Sequence, residues 1–232
     1  MRGHRGRRRS GGIGAGRGRP LVVAALVLGV TLVAASSVAV WRGQGVSEVG
    51  TDAAAELTAP PPTEAGDPPV PITDGRGGSE RTVRPPVTLS IPALGLAAQV
   101  NQVGITPETG EFDVPPSVDQ VGWYEYGPGL EAEAGSIVVA GHVDSADQGH
   151  GAFYALGELA PGDLVEAADE AGEVHQFEVV AREVYDKEEI PLARYFARDG
   201  ELRLTLITCG GEFDPAAGRY QDNVVVTAVP AP

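Results

Sequence analysis

The sequence predicts an all-β domain over residues 85–232, and three observations lead to that fold class. The apolar runs are short, Gly, Pro and Asp interrupt them at close spacing, and neither a long amphipathic helix nor an internal repeat accompanies them. Some runs, such as 137–140 and 224–226, are apolar throughout, as strands inside a barrel or a sandwich are. Because periodicity alone does not separate such short runs from buried helix, the fold class depends on the whole pattern.

The apolar runs predict seven or eight short strands. They are VTLSI (87–91), AAQVNQVGI (97–105), SIVVAG (136–141), DLVEAA (163–168), VHQFEVVAREVY (174–185), LRLTLI (202–207) and NVVVTAV (223–229). Two short helical elements are predicted at 151–156 and 192–197. With 232 residues, the chain has room for one core of ordinary domain size plus appendages.

Three segments are predicted before this domain. Residues 1–20 form a basic tail, and residues 21–41 form a transmembrane signal-anchor, because twenty uncharged residues at 21–40 would span about 30 Å as a helix. A cleaved signal peptide is the alternative, with small residues at 34–39 as its cleavage region. Residues 42–84 combine Gly, Pro, Ala and acids with almost no large apolar side chain, which predicts a disordered linker.

Charge is unevenly distributed along the chain. Residues 1–42 hold eight of the 17 basic side chains and no acid, so the remainder sets nine basic side chains against all 32 acidic ones. By the positive-inside rule, the basic tail stays in the cytoplasm and the β domain lies outside the cell membrane. So acidic a domain is unsuited to nucleic acid and favours a cationic or amine-bearing partner.

The candidate nucleophile is Cys209, the only cysteine of the chain. In the string LITCGGEFD it ends an apolar run and precedes two glycines, which predicts a thiol at the rim of a sheet, open to a substrate backbone. A small buried hydrophobe is the alternative interpretation of a lone cysteine. Because a thiol needs a nearby base or cation to react near neutral pH, the partner is sought among the histidines. His142 follows SIVVAG and so also stands where a strand is predicted to end.

Arg219 is the candidate cation, ten residues after the cysteine in the string GRYQDNVVV. Acyl transfer builds negative charge on a carbonyl oxygen, and a fixed guanidinium would stabilise that charge or hold the substrate backbone. A solvated arginine at a strand edge is the alternative interpretation. Cysteine, histidine and arginine here share no short motif of fixed spacing, so the residues alone leave both interpretations open.

The strings themselves resemble a known family. An exported anchor, then AGHVDS, then LITCGGEFD, then GRYQDNVVV resembles the sortases, and VTLSIPALGL with VGWYEYGPGLEAEAGSIVVAGH resembles their actinobacterial class F branch. The resemblance covers roughly residues 85–229. It implies an eight-stranded β-barrel with Cys209, His142 and Arg219 as the catalytic residues and Thr208 as a substrate contact, with an ordinary strand residue as the alternative interpretation of Thr208.

The resemblance also implies a reaction. A sortase thiolate attacks an LPXTG-like sorting signal (Leu-Pro-x-Thr-Gly) between Thr and Gly, and an amine resolves the thioacyl-enzyme. The amine belongs to a peptidoglycan precursor or a pilin lysine, so proteins become attached to the cell wall. No metal or cofactor is predicted, because the acids Asp186, Glu188 and Glu189 are interpreted as a solvated face and Cys209 with His142 offers too few zinc ligands.

Other cysteine enzymes and a non-enzyme remain as alternatives. L,D-transpeptidases place a histidine two residues before the cysteine, where this chain has Ile207, and papain-like enzymes place the cysteine before the histidine. A cysteine peptidase that releases the acyl group to water is a further alternative. The non-catalytic alternative is a membrane-tethered β domain that binds the wall or other surface proteins.

Overall fold

The computed structural model of the chain describes residues 46–57, 83–106 and 112–232. These residues contain two α-helices, α1 (Thr51–Leu57) and α2 (Leu192–Tyr195), and two 3-10 turns, Pro92–Leu94 and Leu156–Glu158. The strands are β1 (Thr88–Ile91), β2 (Leu96–Val103), β3 (Val121–Tyr124), β4 (Ser136–Gly141), β5 (Asp144–Ser145), β6 (Gly149–His150), β7 (Leu164–Ala168), β8 (Val174–Asp186), β9 (Arg203–Asp214) and β10 (Arg219–Pro230).

Eight of these strands close into a barrel in the order β1-β2-β3-β4-β9-β10-β8-β7, and β7 pairs back to β1. The pairs β2–β3 and β4–β9 are parallel, and the other barrel pairs are antiparallel. Strands β5 and β6 form a separate two-stranded sheet. The prediction of an all-β, eight-stranded barrel is confirmed.

Apolar side chains fill the barrel interior because successive residues of a strand point to opposite faces. Leu204 and Leu206 of β9 belong to the fully buried core, whereas Thr205 and Ile207 between and after them point to the other face. The indole of Trp123 on β3 is also buried and donates a hydrogen bond of 3.1 Å to the carbonyl of Pro128. Because Cys209 is two residues after Ile207, its side chain also lies on the outward face of β9 rather than on the core face.

Several elements differ from the sequence prediction. β3 was not among the predicted strands, and its four residues are too short and too interrupted by Gly122 to show a period. Residues 151–156 were predicted as helical, but turns at 152–155 lead only into the 3-10 turn Leu156–Glu158. The element predicted at 192–197 is present as α2.

The strand that carries the cysteine also continues further than predicted. The apolar run predicts an end at the glycines, but β9 extends through Gly210 and Gly211 to Asp214, because it keeps pairing with β10. A register shift in β10 between Tyr220 and Asp222 lies opposite, and Gly211 has a φ of +74° there. The glycines accommodate a bulge in a long hairpin rather than end the strand.

Residues 46–57 pack onto the barrel, although they fall in the segment predicted as a disordered linker. Val49 exchanges two backbone hydrogen bonds of 2.8 Å with Arg182 of β8, and Ala54 of α1 is buried. The guanidinium of Arg182 donates to the carbonyls of Ser47 and Leu159. A buried arginine with backbone partners thus ties the segment to the barrel, which composition alone does not reveal.

The predicted tail (1–20), anchor (21–41) and the greater part of the linker lie outside the described residues. In the part of the chain that is described, no helix is both long and apolar enough to cross a bilayer.

Candidate active site

The parallel pair β4–β9 brings His142 and Cys209 to neighbouring strand ends. The last registered partners of the two strands are Ala140 and Ile207, and His142 and Cys209 each follow two residues later. Neighbouring strands lie about 4.8 Å apart, and residues two apart on a strand share a face. The register therefore places the predicted base and the predicted nucleophile on the same face of two adjacent strands, just beyond the last registered pair.

Thr208 of β9 forms a side-chain hydrogen bond to β4 next to the two predicted catalytic residues. Its hydroxyl donates a hydrogen bond of 2.9 Å to the carbonyl of Gly141, the residue just before His142, and its side chain is buried. The hydrogen bond therefore links the residue that precedes Cys209 to the residue that precedes His142. In the structure the hydroxyl thus serves a contact between strands, while its predicted contact with substrate stays a prediction.

The ring of His142 is held in one orientation. Its Nε2 lies 3.0 Å from the carbonyl oxygen of Pro115, and because a carbonyl only accepts, Nε2 carries a hydrogen. In the neutral ring the free lone pair is therefore on Nδ1. The backbone is equally restricted: Phe153 donates a 3.0 Å hydrogen bond to the carbonyl of His142, and the position of a Cβ on Gly151 would be only 2.8 Å from that carbonyl carbon.

The thiol of Cys209 is half-buried and in contact with a cation. Lys187 Nζ donates to Sγ over 3.4 Å. Cys209 lies opposite Asn223 of β10, and Asn223 lies opposite Tyr185 of β8, so these three residues and Lys187 share the outward face. Lys187 begins the turn after β8 and reaches across β10 toward the sulfur.

Arg219 lies at the start of β10, further from the thiol along the strand. It is four residues before Asn223, the partner of Cys209, and its side chain is 53% exposed. Its guanidinium forms an ion pair of 3.2 Å with Glu188. The structure thus brings His142 and Cys209 together, but it gives Arg219 a carboxylate partner rather than a contact with the thiol.

Tyr220 connects the strand next to the thiol with the loop that follows His142. Its hydroxyl donates a hydrogen bond of 2.6 Å to Asp144 Oδ2 of β5. That hydrogen bond, followed by burial and by the charges of Asp144 and Cys209, raises the pKa of Tyr220 to about 12. The phenol therefore stays a neutral donor throughout the physiological range.

A cavity of about 270 Å³ opens beside the lysine and the arginine. Its walls carry both cations and several carboxylates; the lining residues are Asp186, Lys187, Glu188, Glu189, Asp214, Ala217, Arg219, Tyr220 and Gln221. Lys187 lines this cavity and also contacts the half-buried thiol of Cys209, so the thiol is one side chain away from the cavity.

A thiol, an imidazole with one free nitrogen and a nearby cation are the groups required for acyl transfer through a thioester. The family model for the sortase domain matches residues 89–231. This chain belongs to the sortase family. Sortases are cysteine transpeptidases, so this sortase is an enzyme of that class. No curated protein matches the sequence closely enough to count as a relative.

Solved structures of sortases are similar to this chain at low identity. Sortase A from Corynebacterium diphtheriae is 21% identical with a TM-score of 0.46, over 66% of this chain and 63% of that one. Sortase C-1 from Actinomyces oris is 21% identical with a TM-score of 0.46, over 62% and 73%. Sortase C2 of Pilus Island 1 from group B Streptococcus is 16% identical with a TM-score of 0.47, over 62% and 73%.

Lys187 and Tyr220 are the residues near the thiol that the sequence prediction did not select. Lys187 stands inside the run DKEEI, which was interpreted only as a solvated acidic face. A signal was nevertheless present, because Lys187 is the only lysine of the chain and every other cationic side chain is arginine. Tyr220 had no comparable signal, since a tyrosine at the start of a strand is common.

Proposed function

We propose that this sortase cleaves an LPXTG-like sorting signal between Thr and Gly and transfers the acyl group to an amine, attaching proteins to the cell wall. The observation that carries the proposal is the placement of Cys209 and His142 on the same face of β9 and β4, each two residues beyond the last registered pair of these strands. The family supplies the reaction class, and the local arrangement supports the assignment of the groups.

The proposed reaction proceeds in two transfers. The Cys209 proton passes to Nδ1 of His142, Sγ attacks the threonine carbonyl, and the C–N bond breaks as the leaving glycine amine takes that proton back from His142. An incoming amine then attacks the thioester, loses a proton to His142 and displaces the thiolate. Since Nε2 is already committed to Pro115, Nδ1 is the nitrogen available for both proton transfers.

Arg219 is proposed to hold the substrate carbonyls or stabilise the tetrahedral oxyanion. In support, it lies on the wall of the cavity beside Lys187, but it would have to leave Glu188 to do so. The exposed ion pair is weak enough to break on substrate binding. Arg219→Lys keeps the charge but loses the planar fork, so a large loss of cleavage rate supports direct contact with substrate, and a wild-type rate removes Arg219 from the site.

The acceptor is proposed to be an amine of a peptidoglycan precursor or a pilin lysine. Four carboxylates, Asp186, Glu188, Glu189 and Asp214, line the cavity next to the thiol. A cleft that is mainly negative raises the local concentration of an ammonium group. The same charge favours transfer to an amine over release of the acyl group to water.

Peptide cleavage tests this function directly. The full chain in detergent would be incubated with a fluorogenic Leu-Pro-x-Thr-Gly peptide, with and without an amine acceptor, beside Cys209→Ala. We expect cleavage by the wild type only, a thioacyl adduct on Cys209 in the mass spectrum, and amine-dependent transpeptidation product. Cleavage with only hydrolytic product would identify a peptidase, and no cleavage across a panel of sorting peptides would favour a non-catalytic β domain.

Two finer assignments belong to the same proposal. We propose that residues 21–41 anchor the enzyme in the cell membrane with the catalytic domain outside, on the strength of the uncharged run and the basic tail. Protease treatment of intact cells should then digest the domain while it remains in the membrane fraction. We also propose membership of the actinobacterial class F branch, which a tree of all sortase classes would test.

A further inference from the structure

The only lysine of the chain touches the only cysteine. Lys187 Nζ lies 3.4 Å from Cys209 Sγ and donates to it. Every other Lys or Arg position of the sequence is arginine. A compact charge on a flexible stem is thus present beside the thiol, whereas the planar guanidinium is used elsewhere.

The backbone fixes where this lysine starts. Its amide donates a hydrogen bond of 2.9 Å to Gln221 of β10, and the amide of Glu189 closes the turn on Asp186 with a bond of 2.9 Å. These two hydrogen bonds fix the backbone of Lys187 at the end of β8, opposite Gln221 of β10. From there its side chain crosses one strand to reach the sulfur on β9, a span that a four-carbon stem covers.

The surrounding charges leave the ammonium available to the sulfur. Glu188, its neighbour in sequence, is paired with Arg219 at 3.2 Å. Among the described residues, no carboxylate lies within ion-pair distance of Lys187 Nζ, although acids occupy the positions on both sides of it. Glu188 is thus engaged by Arg219, and Lys187 directs its ammonium at the thiol.

We infer that Lys187 is a catalytic residue of this sortase, which stabilises the thiolate and the negative charge that develops next to it during acyl transfer. The inference rests on the proposed function and adds a residue to it. A cation in contact with sulfur favours the thiolate, and a fixed charge beside the attacked carbonyl favours the tetrahedral intermediate. Lys187 keeps its protons throughout, because the thiol proton goes to His142.

The test separates charge from structure. Lys187→Met keeps the length of the side chain and removes the charge, whereas Lys187→Arg retains a cation. We expect Lys187→Met to lower kcat/KM for peptide cleavage about 10- to 100-fold, and Lys187→Arg to restore part of that loss. Alkylation of Cys209 should also slow in Lys187→Met, and more for anionic iodoacetate than for neutral iodoacetamide, because the cation no longer attracts the reagent.

Chemical modification repeats the test on the wild-type fold. Acetylation removes the charge of Lys187, the only lysine of the sequence, and reductive methylation keeps it. Cys209 is blocked as a mixed disulfide during both reactions and is released with a thiol afterwards, and hydroxylamine removes any acetyl ester from tyrosine. Acetylated enzyme should behave as Lys187→Met, and methylated enzyme as wild type. This comparison decides the matter even if Lys187→Met does not fold.

Three results would overturn the inference. They are wild-type cleavage and alkylation by Lys187→Met, equal loss in the acetylated and methylated enzymes, and a hydroxylamine-resistant acyl group on Lys187, which would make it a nucleophile instead. Alkylation needs no sorting peptide. If no variant cleaves peptide while alkylation still depends on the charge of Lys187, the role of the lysine stands and the proposed substrate fails.

Discussion

At the scale of single residues, Tyr220 joins the two halves of the proposed site. Because its hydroxyl bonds to Asp144, two residues beyond His142, Tyr220→Phe should free the loop that carries the imidazole. We expect a clear fall in kcat with a change in stability of only about 1 kcal/mol, as for one hydrogen bond. Tyr154→Phe, the same change in a neighbouring exposed tyrosine, should leave both unchanged; equal effects of the two variants would contradict the argument.

The same tyrosine predicts a pH effect of known sign. The pKa of Tyr220 is raised from 10.0 to about 12, chiefly by its hydrogen bond to Asp144. The folded state therefore holds this proton more tightly, so the stabilisation is complete below about pH 10 and is lost as the pH rises through about 12. Ultraviolet titration of the phenols should show a transition near pH 12 that moves to lower pH in Asp144→Asn, while the late titration of Tyr185 and Tyr195, whose pKa values are raised chiefly by burial, stays where it is. A titration curve that Asp144→Asn leaves unchanged would contradict the argument.

Gly151 is predicted to be essential for the position of His142. A Cβ there would lie 2.8 Å from the carbonyl carbon of His142 and 3.1 Å from its Cβ, so backbone must shift. Gly151→Ala should lower cleavage much more than it lowers the melting temperature. The control is Gly104→Ala, whose new methyl group meets nothing closer than 3.5 Å and should keep activity.

The sequence was most informative where a single residue ends or interrupts an apolar run. His142 was selected because the apolar run of β4 ends at Gly141, and the structure ends the strand there as well. Cys209 was selected for a reason that the structure corrects: β9 continues to Asp214, and only its pairing with β4 ends nearby, at Ile207. Lys187 was missed because its contact joins two strands that are distant in sequence, and an acidic run looks the same with or without it.

At the scale of elements, one hydroxyl holds β9 to β4 beneath the site. Thr208→Val keeps the shape of the side chain and removes its bond to Gly141, so about 1 kcal/mol of stability and a larger share of activity should be lost. Thr205→Val removes a comparable buried bond, to Ser136, at the far end of the same pair of strands. That variant should lose stability alone, and denaturant titration with peptide kinetics distinguishes the two.

The bulge between β9 and β10 contains a carboxyl group that opposes folding at neutral pH. Burial, and then the charge of Asp186, raise the pKa of Asp222 above its usual value. Its favourable contribution is therefore present at acid pH and is lost as the pH rises through the folded value. Asp222→Asn should raise the melting temperature at pH 7 but not at pH 3. The control Glu170→Gln, at an exposed turn, should leave the melting temperature unchanged at both pH values.

The sequence shows locally where the strands lie along the chain, but it does not show locally in which order they pair within the barrel. The apolar runs predicted β4, β7 and β8 closely, since each is long enough to show its burial pattern. The parallel pairing of β4 with β9 joins residues that are 67 positions apart, a separation that no short window of sequence contains. The barrel therefore entered the prediction through family resemblance rather than through periodicity.

At the scale of the whole molecule, Arg182 connects the segment 46–57 to the barrel. Arg182→Met would leave the carbonyls of Ser47 and Leu159 without their donor and should release the segment. We expect faster proteolysis within 46–57, a lower melting temperature and retained peptide cleavage. If the arginine acts through this segment, deletion of 46–57 should lower stability less in Arg182→Met than in the wild type, and equal losses in the two backgrounds would contradict the argument.

The composition of the chain predicted its overall organisation better than its details. Low apolar content predicted a disordered linker over residues 42–84, but it could not show that residues 46–57 of that segment pack against β8. A single buried arginine and one buried alanine decide that contact, and neither stands out in an alanine- and glycine-rich stretch. The average composition of a segment does not show such single-residue contacts.

The pairing of β4 with β9 also sets the order in which the enzyme becomes reactive. A chain synthesised from its amino terminus presents His142 early, while β9 and β10, which carry the thiol and complete the barrel, come last. Until they arrive, β4 lacks one neighbour and the imidazole has no sulfur beside it. Nascent molecules and fragments that stop before β9 therefore lack the proposed nucleophile, and the proposed reactivity arises together with closure of the barrel.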